Sequence, residues 1–342
     1  MFESVSKDAF DELKNRETIT NRILSFGIEF LDDALRGIFP DDLILLGAPS
    51  GVGKTQLCCN IALSNMQEGK KVHYIALEAA EYEITRRLKY PLVMERYFSD
   101  ENRVRFGQIT YTDWLLGKYI KQMRSYEEEA ALFLEKAYRD LFVYHKSDRF
   151  GISELIESVN FISDKTDLII IDHVHYFDFD YDNENRAIKE IAKTVRSLAL
   201  ENQKPIILVA HLRKRDKRNE ELAAGMEEFH GSSDLYKIAT RVITVSPGKM
   251  KEDGNFETFF RIPKNRLDGG VSRFLAKELY NPKKGMYERN KYQLGWAEQK
   301  RENGFEQIEN KYYPSWAKHR ANFVHSSNST MVSKRKHWFD ND

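Results

Sequence analysis

Apolar residues in this chain fall into two spacings, and the alternation between them sets the expected fold. Ile28, Leu31, Leu35 and Ile38 recur at helical spacing. Short apolar runs follow at 42–47 (DLILLG), 71–77 (KVHYIAL), 168–172 (LIIID), 206–210 (IILVA) and 241–245 (RVITV). Helical stretches separate them, notably 55–67 and 186–202. Strands rich in Ile, Val and Leu that alternate with helices predict an α/β domain whose mainly parallel, twisted sheet is covered on both faces. Residues 258–263 and 272–279 read as strands of an antiparallel extension.

The flanks read differently. Residues 3–16 predict a short polar helix with Val5, Phe10 and Leu13 as its few apolar anchors. The long segment 81–155 is aromatic-rich and mostly helical in pattern, and it includes the charged stretch 125–136. Beyond Arg289 the chain is polar, with Trp296 and Trp316 as isolated anchors, and from His325 onward its composition favours disorder. No internal repeat is present.

Composition narrows the class. The 342 residues carry 53 Lys plus Arg against 53 Asp plus Glu, so no global charge draws the chain to nucleic acid and any such surface is local. With 31% charged and 41% hydrophobic residues the chain fits a soluble globular protein. Its only cysteines, Cys58 and Cys59, are neighbours that point apart on a helix, which fits a reduced, cytoplasmic setting. The first fifteen residues lack a signal-peptide core. No stretch reaches the roughly 18 apolar residues of a bilayer span, so no membrane association is expected.

The strongest chemical signal is residues 48–55, Ala-Pro-Ser-Gly-Val-Gly-Lys-Thr, placed after a predicted strand and before a predicted helix. Backbone amides of such a loop cradle phosphate oxygens, helped by the helix N-terminus. Ala48, Pro49, Ser50, Gly51, Val52, Gly53, Lys54, Thr55 and Gln56 are the candidate nucleotide-binding residues. Lys54 would neutralise the β and γ phosphates of ATP, and the Thr55 hydroxyl would ligate Mg2+. Ala48 stands where the usual pattern opens with Gly.

Weaker signals lie downstream. Asp172, at the tip of LIIID, sits where an acid holds magnesium through water. Glu78 ends the strand after the loop helix, and either polarises an attacking water or is a solvated loop acid. His211 follows IILVA, and either contacts a γ-phosphate or is an ordinary loop histidine. Lys264 and Arg266, in Ile-Pro-Lys-Asn-Arg-Leu-Asp-Gly-Gly, are either solvated turn cations or a finger reaching a neighbour's nucleotide. The basic run 214–218 (KRDKR) is opposed by the acidic stretch 178–185 (DFDYDNEN).

Taken in order, these motifs resemble the RecA-like P-loop motor domain of the DnaB-like replicative helicases, nearest to the branch of phage primase-helicases and mitochondrial Twinkle. The resemblance runs over about 27–288. Gly27-Ile-Glu-Phe-Leu-Asp with Gly37 and Asp42 is similar to the family's entry segment. Ala76-Leu77-Glu78 resembles the strand ending in the catalytic base. Ile171-Asp172 resembles the Walker B strand, and Ala210-His211-Leu212 the γ-phosphate sensor segment. Gly231-Ser232 to Leu235, followed by 241–245, resembles the penultimate core strand and its lead-in. Lys264-Asn265-Arg266 resembles the cation pair that acts across a subunit interface, and 281–288 the closing turn and last strand.

The resemblance implies a RecA-like ATPase domain over 21–289, an N-terminal helix or linker over 1–20, and a C-terminal tail, partly disordered, over 290–342. It implies Glu78, His211, Lys264 and Arg266 as catalytic residues, Thr55 and Asp172 as magnesium ligands, and ATP with Mg2+ as cofactors. A homo-oligomeric, hexameric ring acting on single-stranded DNA follows, with the tail free to meet a protein partner. No primase or collar domain is expected, and residues 1–20 leave room for a linker helix that packs on a neighbouring subunit. The acidic stretch after Asp172 speaks against a DNA grip there, because it repels phosphates. An ATP-dependent scaffold or switch that recruits a protein without unwinding is therefore the alternative, and a recombinase-like filament is a third reading.

Overall fold

The computed structural model describes residues 5–106, 109–138, 143–145, 149–179, 184–212, 222–225, 228–229, 233–289, 292–300 and 303–317. The basic run 214–218, residues 180–183 of the acidic stretch, Gly231 with Ser232, and the tail from His325 lie outside them.

Strand β1 (Leu43–Ala48) is buried at every residue, as a strand between two parallel neighbours must be. Ile44 and Leu46 join the core on one face of the sheet, Leu43 and Leu45 the core on the other. The same alternation runs through β4 (Leu168–Asp172) and β5 (Ile206–His211). Helices α2 (Glu29–Leu35), α3 (Lys54–Gln67) and α4 (Glu81–Ser99) contribute to the first core. Helices α7 (Ile152–Ile162) and α8 (Glu184–Asn202) contribute to the second. In α8 the buried residues Ile188, Ile191, Ala192, Val195, Leu198 and Ala199 keep helical spacing. Each fully buried Ile, Val or Leu there contributes about 1.5–3 kcal/mol relative to exposure.

Among the described residues the sheet has ten strands. The remaining ones are β2 (Val72–Ala76), β3 (Val143–His145), β6 (Arg241–Met250), β7 (Phe256–Asn265), β8 (Phe274–Asn281), β9 (Met286–Tyr287) and β10 (Gln293–Trp296). Their order is β10-β8-β7-β6-β1-β5-β4-β2-β3, with β9 paired to β8. From β6 to β3 every pairing is parallel, whereas β7, β8, β9 and β10 add antiparallel. The expected parallel sheet with an antiparallel extension is what forms.

Two expectations need correction. The first helix, α1 (Val5–Ile19), forms, but Phe10 and Leu13 do not anchor it, being 72% and 46% exposed. The segment 81–155 is mostly helical as expected, holding α4, α5 (Tyr111–Leu115) and α6 (Arg124–Tyr138), and it adds the edge strand β3, which pairs with Tyr74–Ala76. Trp296 and Trp316 are not isolated, and a boundary at 289 falls inside the sheet. Strand β10 pairs with β8, and the Trp316 ring packs 6.1 Å from Phe30 and 5.8 Å from Phe274. Tyr292 donates its hydroxyl to Asp33 Oδ2 at 2.7 Å. A buried carboxyl, Glu278 on β8, accepts the Phe30 N–H at 3.2 Å from beneath the same helix.

Candidate active site

Parallel strands end together, and this sheet gathers four motif residues along one edge. Register sets Ala48 beside His211 and Ala76 beside Asp172. The Leu77 N–H donates to the Asp172 carbonyl at 2.8 Å, which carries Glu78 out just past that strand end. A cleft beyond the carboxyl ends of the strands is where an open α/β sheet binds ligands.

The loop after β1 turns on Gly51 and Gly53, with φ of +80° and +89°. A Cβ at either would meet open space, so the left-handed backbone, not crowding, demands glycine. Gly53 caps α3, whose first amides have no partner within the helix and are available to an anion. Lys54 is 7% exposed, with Nζ donating to the carbonyls of Ala48 and Pro49 at 3.4 and 3.3 Å and lying 2.9 Å from His211 Nδ1. Burial lowers its pKa, opposed by Asp172 and Glu78. Gln56 differs from the rest of the loop: its side chain turns away and donates to the Gly285 carbonyl at 3.2 Å, leaving only its backbone for a nucleotide.

Asp172 is buried, and burial raises its pKa while hydrogen bonds from Tyr74 and Thr55 lower it. The Tyr74 hydroxyl donates to Oδ2 at 2.8 Å, whereas Oδ1 has no hydrogen-bond partner. A buried carboxylate oxygen without a donor, beside the Thr55 hydroxyl, is a hard oxygen set of the kind magnesium takes. The residues fit that ion.

Around Glu78 the structure assembles groups that the motifs did not single out. His173 Nε2 lies 3.1 Å from Glu78 Oε2, within hydrogen-bonding distance though not linear. Tyr176 makes a side-chain hydrogen bond to Glu78. The His173 ring packs edge-on at 4.1 Å from His211, and His175 stacks on His211 at 5.8 Å. Burial, then the neighbouring His211, pushes the pKa of His173 down to about 2, so it is neutral. Burial and then Asp172 raise that of Glu78. One ligand atom each of Glu78, His173 and His211 lies within 4.8 Å of the others, close enough in principle for a metal. The Lys54 ammonium against His211 opposes a second cation there, so we read this triangle as a cluster of close polar contacts.

Lys264 and Arg266 are not brought into this site. Asn265 between them pairs with Arg241, which stands beside Ile44 near the start of β1, the opposite end of that strand from the loop. Lys264 is engaged on its own chain, its Nζ donating to the carbonyls of Tyr236 and Lys237 at 2.8 and 2.9 Å. These cap α9 (Ser233–Ile238). Arg266 is exposed.

Comparison with known proteins places this arrangement. The DnaB-like helicase C-terminal domain matches residues 24–273. A probable replicative DNA helicase of Trieres chinensis is 26% identical over 194 residues, 55% of this chain and 39% of that protein. The replicative DNA helicase DnaC of Bacillus subtilis (strain 168) is 24% identical over 238 residues, 68% of this chain and 48% of its own length. The chain thus spans less than half the length of these curated relatives. Among solved structures, the ATPase domain of G40P superposes with a TM-score of 0.66 at 15% identity, covering 84% of this chain and 99% of that one. A DnaB-like replicative helicase, described with its interactions with primase, gives 0.62 at 14%, covering 84% and 67%. These two share the RecA-like fold. With the family match spanning well over half of its length, the chain belongs to the DnaB-like helicase C-terminal domain family.

Proposed function

We propose that this chain is an ATP-driven motor of the DnaB-like class, coupling ATP hydrolysis to translocation on or unwinding of DNA as a ring of identical, cytoplasmic subunits. The observation that carries the reading is the meeting of Lys54, Thr55, Asp172, Glu78 and His211 at one sheet edge, inside the span of the family match. A recruiting switch has nothing comparable in its favour, since the two curated relatives are both described as replicative helicases.

The roles follow from position. The loop amides and α3 N-terminus receive the phosphates, and Lys54 exchanges loop carbonyls for phosphate oxygens. Thr55 and Asp172 would hold magnesium, which would supply positive charge against the phosphates. Glu78 accepts a proton from the attacking water, and its raised pKa suits a base. His211, bound to Lys54, senses loss of the γ-phosphate. Lys264 and Arg266 serve the neighbouring subunit's site, which fits their place away from their own. No described helix is long and apolar enough to cross a membrane.

The test is ATP hydrolysis with and without single-stranded DNA, beside Lys54→Ala. DNA stimulation that disappears in the variant supports the motor. Hydrolysis indifferent to DNA at low salt overturns the coupling and returns the recruiting switch.

A further inference from the structure

We infer that His173 is a positioning residue that fixes the carboxylate of Glu78 for proton abstraction. The inference rests on the proposal that Glu78 is the base.

Glu78 lies on a bend after β2 with its side chain 44% exposed. A long side chain with that freedom visits several rotamers, and a base works only when held within reach of its water. His173 supplies a hold from inside the protein. Its ring is fully buried, and the backbone N–H of His175 donates to Nδ1 at 3.4 Å. That leaves Nε2 as the nitrogen carrying hydrogen in the neutral ring. Glu78 Oε2 is 3.1 Å away and off the line of that N–H, and Nε2 makes no hydrogen bond among the described residues, so a small turn of the Glu78 side chain completes the contact.

The ring cannot swing to another partner. His211 stands edge-on at 4.1 Å on one side and Tyr176 at 4.8 Å on another. Tyr176 also bonds Glu78, but it is 40% exposed, so water can replace its hydroxyl. His173 directly follows Asp172. The backbone that carries the metal-side acid therefore also carries the group that sets the base, and the two sides of the reacting phosphate are indexed to one strand end.

The experiment compares steady-state hydrolysis with single-stranded DNA, and binding of a fluorescent ATP analogue with Mg2+, in the full chain and in His173→Ala, His173→Gln, Glu78→Gln and the Glu78→Gln/His173→Ala pair. With Ala we expect kcat to fall roughly ten- to hundredfold, with KM and analogue affinity within about twofold. Gln presents an N–H near the position of Nε2 and recovers most of kcat. Adding His173→Ala to Glu78→Gln costs nothing more, since the histidine acts through that carboxylate. If the Ala protein does not fold, His173→Asn takes its place: its shorter amide falls short of Glu78 and is expected to be slow where Gln is fast. Gln as slow as Ala or Asn, a rise in KM at constant kcat, or losses that multiply in the pair each overturn the inference. Wild-type turnover by Glu78→Gln alone overturns the base assignment beneath it, and is told apart because it involves no change at His173.

Discussion

Lys54 and His211 touch, Nζ lying 2.9 Å from Nδ1, so the first turn of α3 and the end of β5 share one hydrogen bond. A second link runs beside it, the Leu212 N–H donating to the Ala48 carbonyl at 3.2 Å. The residue proposed to sense the phosphate is therefore wired to the residue proposed to hold it. His211→Ala is expected to keep nucleotide affinity within a few-fold and to lower kcat by about 10²-fold, as removal of a positioned polar group in a transition state does. Equilibrium binding of a fluorescent analogue beside steady-state turnover separates the two, and equal losses in both would count against a sensor.

Tyr74 is the buried partner of Asp172, and Tyr74→Phe removes its hydroxyl with almost no change of shape. A lost hydrogen bond to a charged group costs about 1.5–3 kcal/mol, here felt at the acid proposed to hold magnesium. The Mg2+ concentration giving half-maximal turnover should rise several-fold while turnover at saturating Mg2+ stays near the parent value. An unchanged Mg2+ dependence would separate Tyr74 from the metal side.

Glu278 sets a pH dependence of stability. Burial raises its pKa from an ordinary 4.5 to about 8. Below the unfolded value both states bind the proton and nothing is lost. Above it the unfolded chain ionises while the folded one stays neutral, so stability falls as pH rises from about 4.5 through about 8, then levels. Glu278→Gln, which keeps the acceptor for Phe30 N–H, should flatten that part of the thermal-melting curve against pH. A parent chain whose melting temperature is constant across the window would contradict the buried neutral carboxyl.

Lys264 and Arg266 differ in how they are held within their own subunit. Lys264→Ala removes two bonds to the carbonyls of Tyr236 and Lys237 and should cost about 1 kcal/mol of stability. Arg266→Ala should leave melting unchanged and suppress hydrolysis only in assembled protein. Mixing Arg266→Ala subunits with Glu78→Gln subunits should restore part of the activity, because some interfaces then pair an intact base with an intact arginine. Mixtures no better than their components would place Arg266 outside the neighbour's site.

Much of this was legible from sequence where the signal is local. A glycine pair before Lys-Thr, and an acid at the tip of an apolar run, report Lys54, Thr55 and Asp172 because strand, loop and helix are adjacent in the chain. Tyr74 and His173 escaped because their significance depends on pairing: Ala76 beside Asp172 in register brings Tyr74 to the carboxylate from almost a hundred residues away. A hint existed for His173, which with His175 alternates straight out of LIIID. The three residues of β3 and the Gln-Leu-Gly-Trp of β10 hold too little periodicity to announce a strand, and only their edge partners make them strands. Trp316 read as solitary because Phe30 and Phe274 meet it only in the fold. Trp316→Ala should lower stability by about 3–5 kcal/mol, measurable by denaturant unfolding.

Strand β1 separates two kinds of business. At its end lies the phosphate loop, and near its start lies Arg241, buried against Asp42 and paired with the turn that carries Lys264 and Arg266. Six residues of a strand hydrogen-bonded on both sides make a strut of about 20 Å that does not stretch. Within one subunit, then, the distance between the loop proposed to hold phosphates and the cations proposed to serve a neighbour is close to a constant. If the subunits assemble as proposed, communication from site to site would travel as the tilting of whole subunits against each other, with each sheet acting as a ruler.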